Sequence, residues 1–263
     1  FDITNDNFTE LYGGTGGLFH KIEGTNFTGS LLIGHSTTGT LSSALNNTGV
    51  GINSLKSITS GDANVGLGTR SGFNLTTGSG NMLIGNRTGE NITTGSYNIA
   101  IGDEALFTED ENGKNIAIGY HALRAQDAGA DAFNIAIGHT AGQHITTGTF
   151  NVIIGGLAGD ALTIGPRNTA IGYRALSSED EGRKNVAIGY DALKVLNVDG
   201  DGDNVAVGHQ AGLSVSTGKK NTIIGGDAGD ALTTGSNNII IGYEAAASAV
   251  DVSNEVTIGD SNI

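Results

Sequence analysis

Asn98-Ile-Ala-Ile-Gly102 is followed seventeen residues later by Asn115-Ile-Ala-Ile-Gly119. The same five-residue word returns as Asn185-Val-Ala-Ile-Gly189 and Asn204-Val-Ala-Val-Gly208. Its closing glycines fall at 34, 51, 68, 85, 102, 119, 138, 155, 172, 189, 208, 225, 242 and 259, so every step is one of seventeen apart from two of nineteen. Chance does not hold fourteen copies in register, and a fixed period of this kind marks a repeat architecture. Seventeen residues are too few for a helical hairpin, which takes about 33. No apolar i, i+3, i+4, i+7 pattern persists either. The word, rich in Ile and Val, reads as a short strand. Each period then predicts two short strands and two turns. That is one coil of a parallel β-solenoid, whose lone coil cannot bury its face but whose stack can.

The fold class expected is therefore all-β, with about 14 coils over 30–263. Residues 1–29 lack the word and are expected as a cap or degenerate coil. The two longer steps start at Gly119 and Gly189, and Glu109-Asp-Glu-Asn-Gly-Lys-Asn matches Glu179-Asp-Glu-Gly-Arg-Lys-Asn. Residues 103–172 and 173–242 thus read as a duplicated four-coil unit.

Alternation along the strand places the second and fourth positions of the word on one side and the third on the other. The fourth is always aliphatic: Ile84, Ile101, Ile118, Ile137, Ile154, Ile171, Ile188, Val207, Ile224 and Ile241 among them. These are expected to stack as the core ladder. The third is small or apolar and never charged: Ala100, Ala117, Ala136, Ala170, Ala187 and Ala206 among others. A strand apolar on both faces is normally covered on both. The alanine side is therefore expected to pack against copies of the chain. Ala105, Ala122, Ala141 and their equivalents recur three residues after the closing Gly, as a small packing position on the second strand. Thr-Thr-Gly or a close variant precedes many of the words, where Gly supplies a corner with positive φ.

Composition narrows function. There are 44 glycines and one proline in 263 residues, without the strict Gly-X-Y order of collagen. There is no cysteine, so disulfide scaffolds, Cys-based zinc sites and thiol catalysis are excluded. The net charge is −14, and a nucleic-acid binder would need a basic face that this chain lacks. No run of 18 apolar residues is present, so no membrane insertion of this segment is expected.

Asn-x-Ala-Ile-Gly-x-x-Ala resembles the head repeat of trimeric autotransporter adhesins of the YadA type. Arrays with Thr-Thr-Gly-Ser between the words are similar to those of phage tail fibres. The likeness covers about residues 30–260. It implies a left-handed β-roll assembled as a parallel homotrimeric rod, extracellular on a cell surface, secreted filament or virion fibre. A cell-surface receptor or glycan is the partner it implies. The period of 17 is a little longer than in the adhesin heads, and position two after Asn is often Ile or Leu.

Local chemistry is sparse. Asp199-Gly-Asp201-Gly-Asp203-Asn204 has the alternate acids that open a calcium loop. Its sixth and twelfth places are Asn204 and Gln210 in place of Gly and Glu, so a solvated acidic loop is the competing reading. Calcium is the one cofactor these acids suggest. The sister loop, Asp127-Ala-Gly-Ala-Asp131, keeps two acids. His139 and His209, equivalent places in the two four-coil units, would form rings of three on the axis of a trimer. The acid runs 109–111 and 179–181 read as polar turns rather than catalytic pairs. Six glycosylation sequons stand at Asn7, Asn26, Asn46, Asn74, Asn86 and Asn91. No Gly-x-Ser-x-Gly elbow with strand–helix context is present. The expected function is a non-enzymatic structural shaft of a fibre, engaged in adhesion or host attachment. Two alternatives are weighed beside it. An ice-binding solenoid needs an unbroken Thr ladder, and the acidic turns interrupt it. An acyltransferase of the left-handed β-helix kind needs an aliphatic residue every sixth position, and one aliphatic–Gly word per coil does not supply that.

Overall fold

The computed structural model describes residues 20–22, 30–33 and 41–259; Asn7, Asn26 and most of the expected cap lie outside these. The chain is all-β, with one three-residue strand per period and turns between. Two compact units form, 1–121 with 129–131 and 122–128 with 132–263. The first holds β1 (His20–Ile22), β2 (Leu31–Ile33), β3 (Thr48–Val50), β4 (Val65–Leu67), β5 (Met82–Ile84), β6 (Ile99–Ile101) and β7 (Ile116–Ile118). The second holds β8 (Ile135–Ile137), β9 (Val152–Ile154), β10 (Thr169–Ile171), β11 (Val186–Ile188), β12 (Val205–Val207), β13 (Thr222–Ile224), β14 (Ile239–Ile241) and β15 (Val256–Ile258). Within each unit, successive strands from β2 on pair parallel and one period apart, Ile99 beside Ile116 and Thr169 beside Val186. This is a β-solenoid in each unit. β1 departs from it: it runs antiparallel to β2, with His20 beside Ile33, so 20–22 is a return strand and not a further coil.

The second strand expected in each coil is a run of turns. After the closing Gly172, Arg174 (φ 53°) and Leu176 (φ 54°) both take the left-handed conformation, as do Glu104 with Leu106 and Asp191 with Leu193. Alternating left-handed residues cannot extend as a strand. Each costs on the order of 1 kcal/mol in a residue other than Gly. The stack over-determines them: Arg174 N–H donates to Gly156 O at 3.1 Å and Leu176 N–H to Ala192 O at 3.0 Å. The closing glycine itself is required by close approach. At Gly172 (φ 132°) a Cβ would stand 2.4 Å from the Gly189 carbonyl oxygen.

The assignment of the two strand faces is corrected by burial. Ala100, Ala117, Ala136, Ala170, Ala187 and Ala206, expected at a chain–chain interface, are 0% exposed within their own coil. The third position is the interior. Ile84, Ile101, Ile118, Ile154, Ile171, Ile188, Val207 and Ile241, expected as the core, are only half-buried, and Ile137 and Ile224 are exposed at 36% and 39%. Alternation fixes which residues share a side but not which side is inside. Burial decides it: the third position is inside whether it is small, as at Ala170, or large, as at Leu83, Ile153, Ile223 and Ile240.

The interior is completed by the turns. Ala105, Ala122, Ala141, Ala158, Ala175 and Ala192 are buried there. A corner column eleven residues after each Asn holds Ile58, Leu75, Ile92, Ile145, Leu162, Leu196, Val215 and Leu232, all fully buried. The Asn of each word is buried too, and its Oδ1 accepts the backbone N–H of the next Asn, as Asn151 Oδ1 does from Asn168 at 2.8 Å. Its Nδ2 donates to the corner carbonyl of its own coil, Asn151 to Gly165 O at 3.0 Å. The Asn column thus joins coils to one another and closes each coil on itself.

Side-chain volume is balanced within several levels, though not at Gly66–Gly72, Ala136–Gly142 or Ala206–Gly212. Where the third position is Ile153, Leu83 or Ile223, the left-handed residue six further on is Gly159, Gly89 or Gly229. Where it is Ala100, Ala170 or Ala187, that residue is Leu106, Leu176 or Leu193. A Cβ on Gly159 would come within 3.1 Å of Ile153 Cδ1, so one large side chain fills each such level. Ala187→Ile is therefore expected to overpack against Leu193 and cost about 1–3 kcal/mol in thermal or denaturant unfolding. Adding Leu193→Gly reproduces the Ile153–Gly159 pairing and should recover most of the loss. A double variant as unstable as the sum of its parts would contradict this packing.

Candidate assembly face and the acidic loops

Because the third position turns inward, the second and fourth turn outward on every strand. No strand carries a charged residue at either place from β2 to β15. Leu67, Met82, Ile137, Ile224, Ile239, Val256 and Ile258 are exposed there. Several of the residues that flank the word are also apolar and exposed, while others are charged or polar, such as Lys114, Arg167, Lys184 and Asp103. Tyr97, Phe133 and Phe150 precede the buried Asn; Ile52, Tyr120, Tyr173, Tyr190 and Tyr243 follow the closing Gly. Among the described residues, every exposed large apolar side chain except Ile164, Val195 and Val250 belongs to the outward strand positions or to these flanks. A soluble monomer rarely leaves so contiguous an apolar surface bare.

The flanks are ordered by the same period. Phe133 and Phe150 stack at 5.5 Å, Tyr173 and Tyr190 at 5.6 Å, and Tyr190 and His209 at 5.4 Å. Beside them run ion pairs between neighbouring coils. In the first unit Glu90 takes Arg70 at 2.5 Å and Arg87 at 2.8 Å, and Arg87 also reaches Glu104 at 2.6 Å. In the second, Arg174 grips Asp191 with Nε at 2.8 Å and Nη2 at 2.7 Å. Charge is thus kept beside the apolar strip and off it.

The acids expected as a calcium loop are not brought together. Asp201 is exposed and accepts from Lys184 Nζ at 2.6 Å, with Arg183 Nε at 3.3 Å. The Lys184 hydrogen bond holds its carboxyl below the usual aspartate range. Asp199 contributes its backbone carbonyl to Lys219 Nζ at 2.7 Å. Asp203 is an exposed left-handed residue (φ 50°). Among the described residues, no three His, Cys, Asp or Glu side chains gather as metal ligands. The twin Asp131 pairs with Lys114 in the same way, and that contact likewise lowers its carboxyl. The acids tie each of the longer coils to the coil before it. Two backbone bonds do the same: Arg183 N–H donates to Gly200 O and Gly202 N–H to Arg183 O, both at 3.0 Å.

His139 and His209 are both exposed beside the closing Gly, and His209 Nδ1 lies 3.3 Å from Asp227 Oδ1. Of the sequons described, Asn46 and Asn86 are exposed, and Asn86 Nδ2 donates to Asp103 at 2.7 Å. Asn74 and Asn91 are half-buried and joined to each other, Nδ2 of Asn74 donating to Oδ1 of Asn91 at 3.2 Å.

The sequence reading missed two residues in the acid runs. Glu109 and Glu179 are fully buried, while the acids after them are not. The signal was the register: each stands eleven residues after its Asn, in the corner column of Ile92 and Leu162. Glu109 accepts from Asn112 N–H at 3.2 Å and Asn115 Nδ2 at 3.4 Å.

No family model, curated protein or solved structure matches the chain.

Proposed function

We propose that this β-solenoid repeat protein is a non-enzymatic structural shaft, in which copies of the chain pack side by side through their outward strand faces. The observation that carries the reading is the uncharged aliphatic strip of positions two and four, bare in each unit. Chains of net −14 repel one another, so association is favoured only where charge is absent. The strip is also repeated at every coil, so a copy aligned with it meets the same surface along its whole length. The second unit repeats the strip over eight strands, against the roughly 800 Å² that one partner brings to a standard interface. The parallel homotrimer, the extracellular or virion fibre, and adhesion or host attachment through a receptor or glycan follow from the resemblance to adhesin heads and tail fibres.

An ice-binding role is less well supported. Thr76, Thr146 and Thr163 turn their hydroxyls to the carbonyl of the next coil, at 3.1, 3.3 and 3.0 Å, and the exposed column beside them, Thr77, Thr94 and Thr147, is broken by Glu111, Ile164 and Glu181. Light scattering tests the assembly directly. The expected particle has three times the chain mass of 26.6 kDa, and a monodisperse monomer would overturn the proposal.

A further inference from the structure

We propose that the two flanks of the outer strip are complementary halves of one contact: the residue before each buried Asn of one copy meets, at the same level, the residue after the closing Gly of a parallel neighbour. This contact rests on the side-by-side packing of copies through the strip and adds to it their direction and register. The strip itself fixes neither, because it is uncharged and apolar at every coil and would match again after a slip of one coil. The flanks differ from coil to coil, so they hold the information that the strip lacks.

In the second unit the two flanks are unlike in size and charge wherever they share a level. Phe150, 52% exposed, stands level with Gly156, a gap in a column of His and Tyr rings. Arg167 and Lys184 stand level with Tyr173 and Tyr190, exposed phenols whose oxygens accept hydrogen bonds. Arg174, which adjoins Tyr173, is already held by Asp191 at 2.7 Å. Asp203 stands level with the exposed His209, and Lys220 with Gly226 and Asp227. Among the described residues, Arg167, Asp203 and Lys220 are exposed and have no ion-pair partner in their own chain. In the first unit Lys114 is likewise level with Tyr120, both exposed. Such residues form the polar rim of an interface whose centre is apolar.

Symmetry decides which flanks meet. Copies related by rotation about an axis along the stack present the leading flank of one to the trailing flank of the next, at equal height. That is a heterologous contact, and it closes into a ring. Copies packed antiparallel about a twofold set each flank against itself, and the leading flank of this unit carries three cations, Arg167, Lys184 and Lys220, to one acid, Asp203. A parallel copy slipped forward by one coil sets Asp203 against Asp227 and Lys184 against His209; slipped back by one, it sets Lys184 against Arg174. Like charges placed together in an interface are penalised, and this suppresses the wrong registers. At these levels the unslipped parallel arrangement brings Asp203 to His209 and Lys220 to Asp227.

Cross-linking of the full chain tests it, because the chain has no cysteine and an added thiol is the only one present. Phe150 is exposed, and at Gly156 a Cβ would lie 3.5 Å from Tyr173 Cδ2, an ordinary contact, so a thiol fits at both places. Chains bearing Phe150→Cys and chains bearing Gly156→Cys, differently tagged, are co-expressed and treated with a short bis-maleimide. The expected product on a denaturing gel has twice the chain mass of 26.6 kDa and carries both tags. Either variant expressed alone should run as a single chain. Phe150→Cys with His209→Cys, three coils apart, should not link, and a product there would overturn the register. Light scattering on the unaltered chain distinguishes the remaining failures. A monomer removes the side-by-side packing and this contact with it. An assembled particle whose mixed pair stays unlinked, or in which Phe150→Cys links to itself, leaves the packing standing and overturns the contact.

Discussion

Asn151→Leu should destabilise the second unit by at least about 1–3 kcal/mol, the range for one buried polar group left without a partner. Asn168 N–H loses its 2.8 Å acceptor, and Gly165 O loses its 3.0 Å donor and keeps only the longer bond from Asn168 Nδ2 at 3.4 Å. Leucine has similar bulk, so lost volume does not explain the effect. The first link joins two coils and the second closes one, so the loss should fall on cooperativity between neighbouring levels as well as on midpoint. Urea unfolding followed by circular dichroism measures it. Asn237→Ala is the matched control: Asn237 is exposed, one residue before the buried Asn238, and its side chain bonds its neighbour Asn254 at 2.7 Å. Asn237 is left-handed (φ 59°), a conformation that Asn tolerates better than Ala, so that change should cost no more than about 1 kcal/mol. Equal losses at 151 and 237 would mean that the buried column does not hold the stack.

The period itself was enough to read coils, parallel pairing and the strand word, because a stack of identical levels needs the same residue at the same place each time. What periodicity could not reveal was the sense of the strand. Ile188 and Ala187 are both apolar, and adjacent positions face opposite ways whichever is inside. The deciding quantity is the space within one coil, and it was legible in a comparison not made along the strand alone. At Ala100, Ala117, Ala170 and Ala187 a Leu stands six residues on, and at Ile153 and Ile223 a Gly does. Residues that trade volume across one level must face one another, so Ala187 and Leu193 share an interior. The absence of a second strand has a different cause. Leucine is a poor guide to left-handed backbone, and at Leu176 and Leu193 the neighbouring coils impose a conformation that local preference opposes.

The acidic stretches show the same limit. Read as local composition, Glu179-Asp180-Glu181 is a solvated turn, and for Asp180 and Glu181 that is largely so. Read in register, Glu179 falls among Leu162 and Leu196. The loop Asp199–Asp203 has the spacing of a calcium loop, but Lys184 and Arg183 on the coil before it already answer Asp201. Partners that lie a full coil away in sequence are invisible to a motif that looks six residues ahead.

Ile188→Glu with Ile224→Glu should convert the proposed assembly to a folded monomer, whereas Ala187→Glu should unfold the chain. Ile188 and Ala187 are adjacent in sequence and opposite in direction. Ile188 and Ile224 stand on the outer side of β11 and β13, half-buried and 39% exposed within a single chain. A carboxylate there keeps its water in the monomer and costs the fold little. In a parallel assembly each level meets its own copies, so every substitution places like charges together in an apolar contact. Such juxtaposition costs several kcal/mol per level. Two levels are enough to dissociate an interface of ordinary strength. Ala187 has no exposure at all, and a carboxylate in that interior has neither water nor a partner. Light scattering and circular dichroism on the same samples separate the outcomes. If Ala187→Glu dissociates the particle with its secondary structure intact, the alanine side is the interface after all. If the double glutamate variant keeps the mass of the unaltered chain, the outer strip is not where the copies meet.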